Sequence, residues 1–157
     1  MLPKFNLLVY DFDGVLTDNT VYVDQNGIET VRVNRADGLA ISILKNEGFT
    51  QLILSTEKNP VVSKRAEKLE IPVIQGSESK LICLKNYCNT HNINLKTVLY
   101  IGNDINDYEV MTQVGYKVCP ADAHISIIEI SDMILSSKGG YGVIREFYDV
   151  LNKEGKQ

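Results

Sequence analysis

Asp11 and Asp13 stand two residues apart directly after the apolar run Leu7-Leu8-Val9-Tyr10, and Gly14 follows them. In extended backbone alternate side chains point the same way, so both carboxylates can enter one site before Gly14 lets the chain turn. Two carboxylates that close repel, and one pKa rises unless a cation sits between them; an all-oxygen set suits Mg²⁺. Hydroxyls at Ser55 and Thr56 follow a second apolar run, Lys80 opens a helical segment soon after a third, and Gly102-Asn103-Asp104 with Asp107 follows a fourth. Asp104 can supply a further metal ligand. Asp107, one helical turn on, could ligate directly, hold a metal-bound water or orient Lys80. Carboxylates, a hydroxyl and an ammonium around magnesium form an arrangement for neutralising phosphate oxygens and stabilising a phosphoryl group in transfer. One carboxylate could attack phosphorus, while the other protonates the leaving alcohol and later activates water. Taken singly, each residue has a plainer use: Asp-x-Asp as a strand-end turn, Lys80 as a surface charge, Asp104 and Asp107 as acids favouring a helix N-terminus. The ordered set is what points to catalysis.

The elements that must position these residues alternate between short β-rich apolar runs and segments of helical period. That pattern predicts an α/β fold: a doubly wound, Rossmann-like parallel sheet with helices on both faces. Strands are expected at 6–10, 51–54, 72–74, 97–101, 117–118 and 133–135. Helices are expected at 36–47, with Leu39, Ile43 and Leu44 on one face; from Asn59 as cap and Pro60 to about Leu69; from a cap at Ser77; and at 105–114 and 142–151. In such sheets ligands bind beyond the carboxyl ends of the strands, which is where the polar groups stand. Residues 20–34, with β-branched Val21, Val23, Thr30, Val31 and Val33 around Gln25-Asn26-Gly27, read as a hairpin inserted after the first strand, within about 18–35. The tail 153–157 reads as frayed.

The chain's 157 residues, 44% apolar and 23% charged, suit a single domain over 1–157. A net charge of -4 provides no basic field for nucleic acid, and no apolar run approaches the roughly 20 residues needed to span a bilayer. Residues 1–6 lack the features of a secretory signal. Cys83, Cys88 and Cys119 are odd in number, lack metal-ligand spacing and stand apart from His91 and His124, so they read as reduced thiols of a cytoplasmic protein.

Asp11-Phe12-Asp13-Gly14-Val15-Leu16-Thr17, Ser55, Lys80 and Gly102-Asn103-Asp104-Ile105-Asn106-Asp107, in that order, resemble the four motifs of haloacid dehalogenase superfamily phosphatases over essentially the whole chain. The resemblance implies Asp11 as nucleophile and Asp13 as general acid/base, with Ser55 and Lys80 binding the transferring phosphoryl group. It implies Mg²⁺ held by Asp11, Asp104 and the Asp13 backbone carbonyl, with Asp107 supporting the metal site and Lys80. Two positions depart from the family pattern. Asn103 stands where many relatives carry a second acid, a change expected to remove charge but no essential ligand, and Thr56 stands where glycine is frequent.

The core elements leave no room for the cap domain most of the superfamily uses to close its site, so a neighbouring subunit is the economical source of specificity. The hairpin, too small to bury both faces, is expected to pair in an oligomer. The chain resembles the capless (C0) branch containing 3-deoxy-octulosonate 8-phosphate phosphatases and the phosphatase-like domains attached to acylneuraminate cytidylyltransferases, which implies a homotetramer. Lys138-Gly139-Gly140-Tyr141-Gly142-Val143-Ile144-Arg145-Glu146 resembles that branch's C-terminal signature. It reads either as a flexible loop before a helix or as glycines that let backbone approach an active site. Glu57 with Arg65 and Lys68, the latter two sharing a helix face, resembles phosphatases acting on nine-carbon keto-deoxy sugar acid 9-phosphates. In those the Glu meets sugar hydroxyls, while the Arg and Lys reach the carboxylate from an adjacent subunit. The expected substrate is therefore a sialic-acid-type nonulosonate 9-phosphate. The alternatives are 3-deoxy-octulosonate 8-phosphate and a non-catalytic oligomerisation module.

Overall fold

The computed structural model describes residues 2–154. In chain order the strands are β1 (Leu7–Tyr10), β2 (Tyr22–Val23), β3 (Glu29–Thr30), β4 (Gln51–Leu54), β5 (Val73–Ile74), β6 (Val98–Ile101), β7 (Tyr116–Cys119) and β8 (Met133–Ile134). The helices are α1 (Arg35–Asn46), α2 (Val61–Leu69), α3 (Lys80–Thr90), α4 (Ile105–Met111), α5 (Ile125–Ile130) and α6 (Val143–Glu154). Six strands form one parallel sheet in the order β5-β4-β1-β6-β7-β8. From β1 the chain builds outward through β4 and β5, then returns to the other side of β1 to lay down β6, β7 and β8. The winding direction therefore reverses between β1 and β6, and the crevice at that reversal is where such sheets bind ligands.

Every residue of β1, β4 and β6 is buried, as expected of parallel strands covered on both faces. Alternation divides them between two cores. Leu8, Tyr10, Ile53, Leu99 and Ile101 share one with Ile41 and Leu44 of α1, Val62 of α2 and Phe147 of α6. Leu7, Val9, Leu52, Leu54 and Tyr100 share the other with Leu84 of α3, Val110 of α4 and Ile127 of α5. No helix among the described residues is long and apolar enough to cross a membrane.

Several local expectations need correction. The buried face of α1 runs through Ala40, Ile41 and Leu44, whereas Leu39 is exposed. The cap of α3 is Ser79, whose side chain accepts from the Ile82 N–H, and not Ser77. A helix at α5 had no counterpart in the sequence reading, because its run of isoleucines has β-like composition. Lys153 lies inside α6, so the frayed tail does not begin there, and 155–157 lie outside the described residues. Asn59 does cap α2: its side-chain oxygen accepts from the Val61 N–H at 3.0 Å, and Pro60 has helical backbone angles.

The hairpin forms as expected, with Tyr22 opposite Thr30 and Val23 opposite Glu29. Its turn is held by the Asp24 carboxylate, which accepts from the N–H groups of Asn26 and Ile28. Val21, Tyr22, Val23 and Ile28 project from it, each between 47% and 70% exposed.

Candidate active site

At the end of β1 the Asp11 N–H still donates to the Ile101 carbonyl of β6 (2.9 Å), so the first aspartate is fixed by the sheet ladder itself. The chain then makes a wide turn over Phe12–Leu16, closed by a bond from the Thr17 N–H to the Phe12 carbonyl (3.1 Å). Gly14 makes this turn possible in two ways: its φ is +89°, and a Cβ there would fall 1.9 Å from the Asn103 side-chain amide.

Lys80 enters from the first turn of α3. Its ammonium donates to Asp11 Oδ1 at 2.5 Å and to Asp107 Oδ1 at 2.7 Å, with all three side chains at most 5% exposed. Asp107 is held on both oxygens: the Tyr100 hydroxyl donates to Oδ1 (2.8 Å), and the N–H groups of Asn103 (2.9 Å) and Asp104 (3.3 Å) donate to Oδ2. Of the three roles open to Asp107, the structure shows the orientation of Lys80.

Burial pushes the Asp11 carboxyl up to about 7, and the Asp107 charge adds to this while Lys80 works against it. Asp13 is also raised, by burial and then by the nearby Glu57 charge. For Lys80, burial pulls downward, but Asp11 and Asp107 outweigh it and hold the ammonium in its charged form.

The Asn103 side-chain amide sits 2.8 Å from Asp11 Oδ2 and 2.9 Å from the Asp13 carbonyl oxygen. With its NH₂ turned toward them it donates to both. Rotated by half a turn, its carbonyl oxygen faces those two oxygens instead, and three such oxygens are a donor set that fits a hard divalent cation. Asp104 is placed differently. Its carboxylate accepts from the Ile105 N–H (2.7 Å) and forms a capping box with Asp107 at the start of α4. Among the described residues no three Asp, Glu, His or Cys side chains gather into a metal-holding group. The Asn103 side chain thus turns inward, toward Asp11 and the Asp13 carbonyl, while the Asp104 carboxylate, expected as a ligand, caps α4.

Ser55, buried, accepts from the Glu57 N–H at 3.0 Å, and the Glu57 carboxylate accepts from the N–H groups of Lys58 and Asn59. Glu57 lines a cleft of about 290 Å³ together with Asp13, Asn19, Glu29 and hairpin residues Val21 and Val31. Arg65 and Lys68 do not line it. They border a larger, separate cleft of about 510 Å³ with Arg35 and Gly38, where Arg65 donates to the Asn34 carbonyl (3.2 Å). Sequence reasoning missed Tyr100, hidden in an apolar run, and the inward turn of Asn103. Gly14, through the space it leaves for Asn103, was the available signal for the latter.

A doubly wound sheet whose winding reversal gathers paired aspartates, a buried lysine and a supporting carboxylate defines a hydrolase built for phosphoryl transfer. Residues 43–147 match the haloacid dehalogenase-like hydrolases. The chain is 35% identical over 149 residues to the 3-deoxy-D-manno-octulosonate 8-phosphate phosphatase KdsC of Escherichia coli K12, covering 94% of this chain and 79% of that protein. A HAD family hydrolase of Streptomyces avermitilis has a TM-score of 0.91 at 43% identity, with 95% of this chain and 93% of that one covered. The 3-deoxy-D-manno-octulosonate 8-phosphate phosphatase of Moraxella catarrhalis, solved with magnesium, phosphate and KDO, has a TM-score of 0.90 at 29% identity, with 95% and 86% covered. The chain belongs to the haloacid dehalogenase-like hydrolases, and it is a phosphatase.

Proposed function

We propose that this phosphatase hydrolyses the phosphate ester of a 2-keto-3-deoxy sugar acid, with 3-deoxy-octulosonate 8-phosphate as its preferred substrate. The observation that carries the reaction is the convergence of Asp11, Asp13 and the Lys80–Asp107 pair at the β1–β6 crevice. The choice of the eight-carbon ester is supported by what the Escherichia and Moraxella relatives act on, and it replaces the nine-carbon ester expected from sequence. The nine-carbon reading keeps one specific support, the placement of Glu57 beside Asp13 in the smaller cleft.

The Asp11 carboxylate attacks phosphorus, and the phosphorus–oxygen bond to the sugar breaks as Asp13 gives that oxygen its proton. Asp13, now ionised, takes a proton from the water that attacks the aspartyl phosphate. Inorganic phosphate leaves, Asp11 regains its carboxylate and Asp13 its proton. The raised pKa of Asp13 suits a group that must carry a proton to the leaving alcohol. Ser55 and Lys80 hold the oxygens of the phosphoryl group, and Asp107 holds Lys80 on its target. Asp11, the Asp13 carbonyl and the Asn103 side chain would hold Mg²⁺. When bound, the ion neutralises phosphate oxygens.

The proposal includes a homotetramer. The exposed apolar hairpin supports it, as does the position of Arg65 and Lys68 outside their own chain's substrate cleft, from which they would serve a neighbour's. The deciding experiment is phosphate release, with and without Mg²⁺, from the eight-carbon ester, the nine-carbon ester and an aryl phosphate, with Asp11→Asn as control. The highest kcat/KM is expected for the eight-carbon ester, and Asp11→Asn is expected to lose activity roughly 10³-fold or more. A clear nine-carbon preference would move the assignment, and undiminished hydrolysis by Asp11→Asn would end it.

A further inference from the structure

Asp37, in the first turn of α1, is a buried carboxylate with no place in the reaction above, at 1% exposed. Its Oδ1 accepts from the N–H groups of Ile144 (2.9 Å) and Arg145 (3.0 Å), the second and third residues of α6. A residue 107 positions away thus caps α6 from a different helix and meets the positive end of its dipole. Its Oδ2 is buried with no hydrogen-bond partner. Asn34, which caps α1, reaches from the same corner to the Gly140 carbonyl (3.5 Å).

Gly139-Gly140, two residues short of the start of α6, lies with its backbone against the catalytic turn. The Gly140 N–H donates to the Val15 carbonyl at 3.0 Å. A Cβ on Gly139 would fall 2.1 Å from the Gly14 carbonyl oxygen, and one on Gly140 would fall 2.4 Å from the Asp18 nitrogen. Of the two readings open for this glycine segment, the structure therefore shows close approach to an active-site turn. The far end of the segment is also anchored: Gly139 N–H donates to Asp122 (2.9 Å), and Glu146 accepts from the N–H groups of Ser136 and Ser137.

We propose that Asp37 is a positioning residue for phosphoryl transfer: by capping α6 from α1 it sets the glycine segment against residues 14–18 and so fixes the turn that presents Asp13. The inference rests on the reaction assigned above, but the contact chain itself can be tested separately. Asp37→Ala removes the acceptor for both α6 amides. With an aryl phosphate at saturating Mg²⁺, it should lower kcat by about tenfold with KM within about twofold, and Asp37→Asn, which keeps an acceptor, should restore most of the loss. Amide hydrogen exchange should quicken in residues 12–18 together with 139–145, while β4 and β6 stay protected. A folded Asp37→Ala protein with wild-type kcat, or faster exchange confined to α6, overturns the proposal. Should Asp37→Ala not fold, Gly140→Ala presses on the same turn from the other side, and wild-type kcat in that variant overturns it equally. An inactive wild type would instead reject the assigned reaction, with the exchange measurement still deciding the role of Asp37.

Discussion

The Tyr100 hydroxyl donates to Asp107 Oδ1 at 2.8 Å, the same oxygen that accepts from the Lys80 ammonium. Burial, with the charges of Asp107 and Asp11, keeps this phenol protonated and therefore a permanent donor. Tyr100→Phe leaves one fewer bond to fix the carboxylate that aims Lys80. A loss of about 1–2 kcal/mol corresponds to a fall in kcat of roughly 5- to 30-fold. Steady-state kinetics checks this, and an unchanged kcat would show that Lys80 and the Asn103 and Asp104 N–H groups suffice to hold Asp107.

Asn103 should govern cation affinity. Asn103→Ala is expected to weaken Mg²⁺ binding about 10- to 100-fold by calorimetric titration. Asn103→Asp restores an oxygen donor but adds a third carboxylate near Asp11 and Asp107. That variant should melt lower than wild type without Mg²⁺ and gain more in Tm when Mg²⁺ is added. Equal Tm gains in the two proteins would remove Asn103 from the ligand set.

Arg65 and Lys68 should matter only for substrates that carry a carboxylate. The double variant Arg65→Ala/Lys68→Ala is expected to lose roughly 10- to 100-fold in kcat/KM on the sugar acid phosphate, with the aryl phosphate within about threefold of wild type. Equal loss on both esters would refute carboxylate recognition by this pair.

Asp37 should leave a signature in stability against pH. Burial raises its carboxyl to about 6, against 3.8 for the free group, with the two α6 amides and Arg65 pulling the other way. The folded protein therefore holds the proton more tightly than the unfolded chain. The cost of ionising Asp37 is absent below about pH 4, grows from pH 4 to 6 and is complete above that, reaching on the order of 3 kcal/mol. Asp37→Asn lacks this term. Its stability relative to wild type, from denaturant titrations, should rise between pH 4 and 7, and a flat difference would contradict the shift.

Much of the sheet was legible because parallel strands buried on both faces must be apolar runs, and the polar residues after each run then mark one edge of the sheet. The pairing of Asp11 with Lys80 could be anticipated from that edge alone. Periodicity could not decide between Asn103 and Asp104. Adjacent residues leave a strand in opposite directions, and which one turns inward depends on the space at Gly14, 89 positions before Asn103. Tyr100 was invisible for a related reason, since its ring belongs to the core while only its hydroxyl reaches the site. The isoleucines of α5 show tertiary packing overriding local preference, with Ile127 buried against the second core.

The contacts that aim Lys80 join residues 69 and 27 positions apart in the chain. The second needs a chain that extends past β6, because Asp107 lies on α4 while Lys80 opens α3. A polypeptide halted before β6 would carry Asp11 and Lys80 but lack Asp107, the carboxylate that aims the lysine, and Asn103 beside the nucleophile.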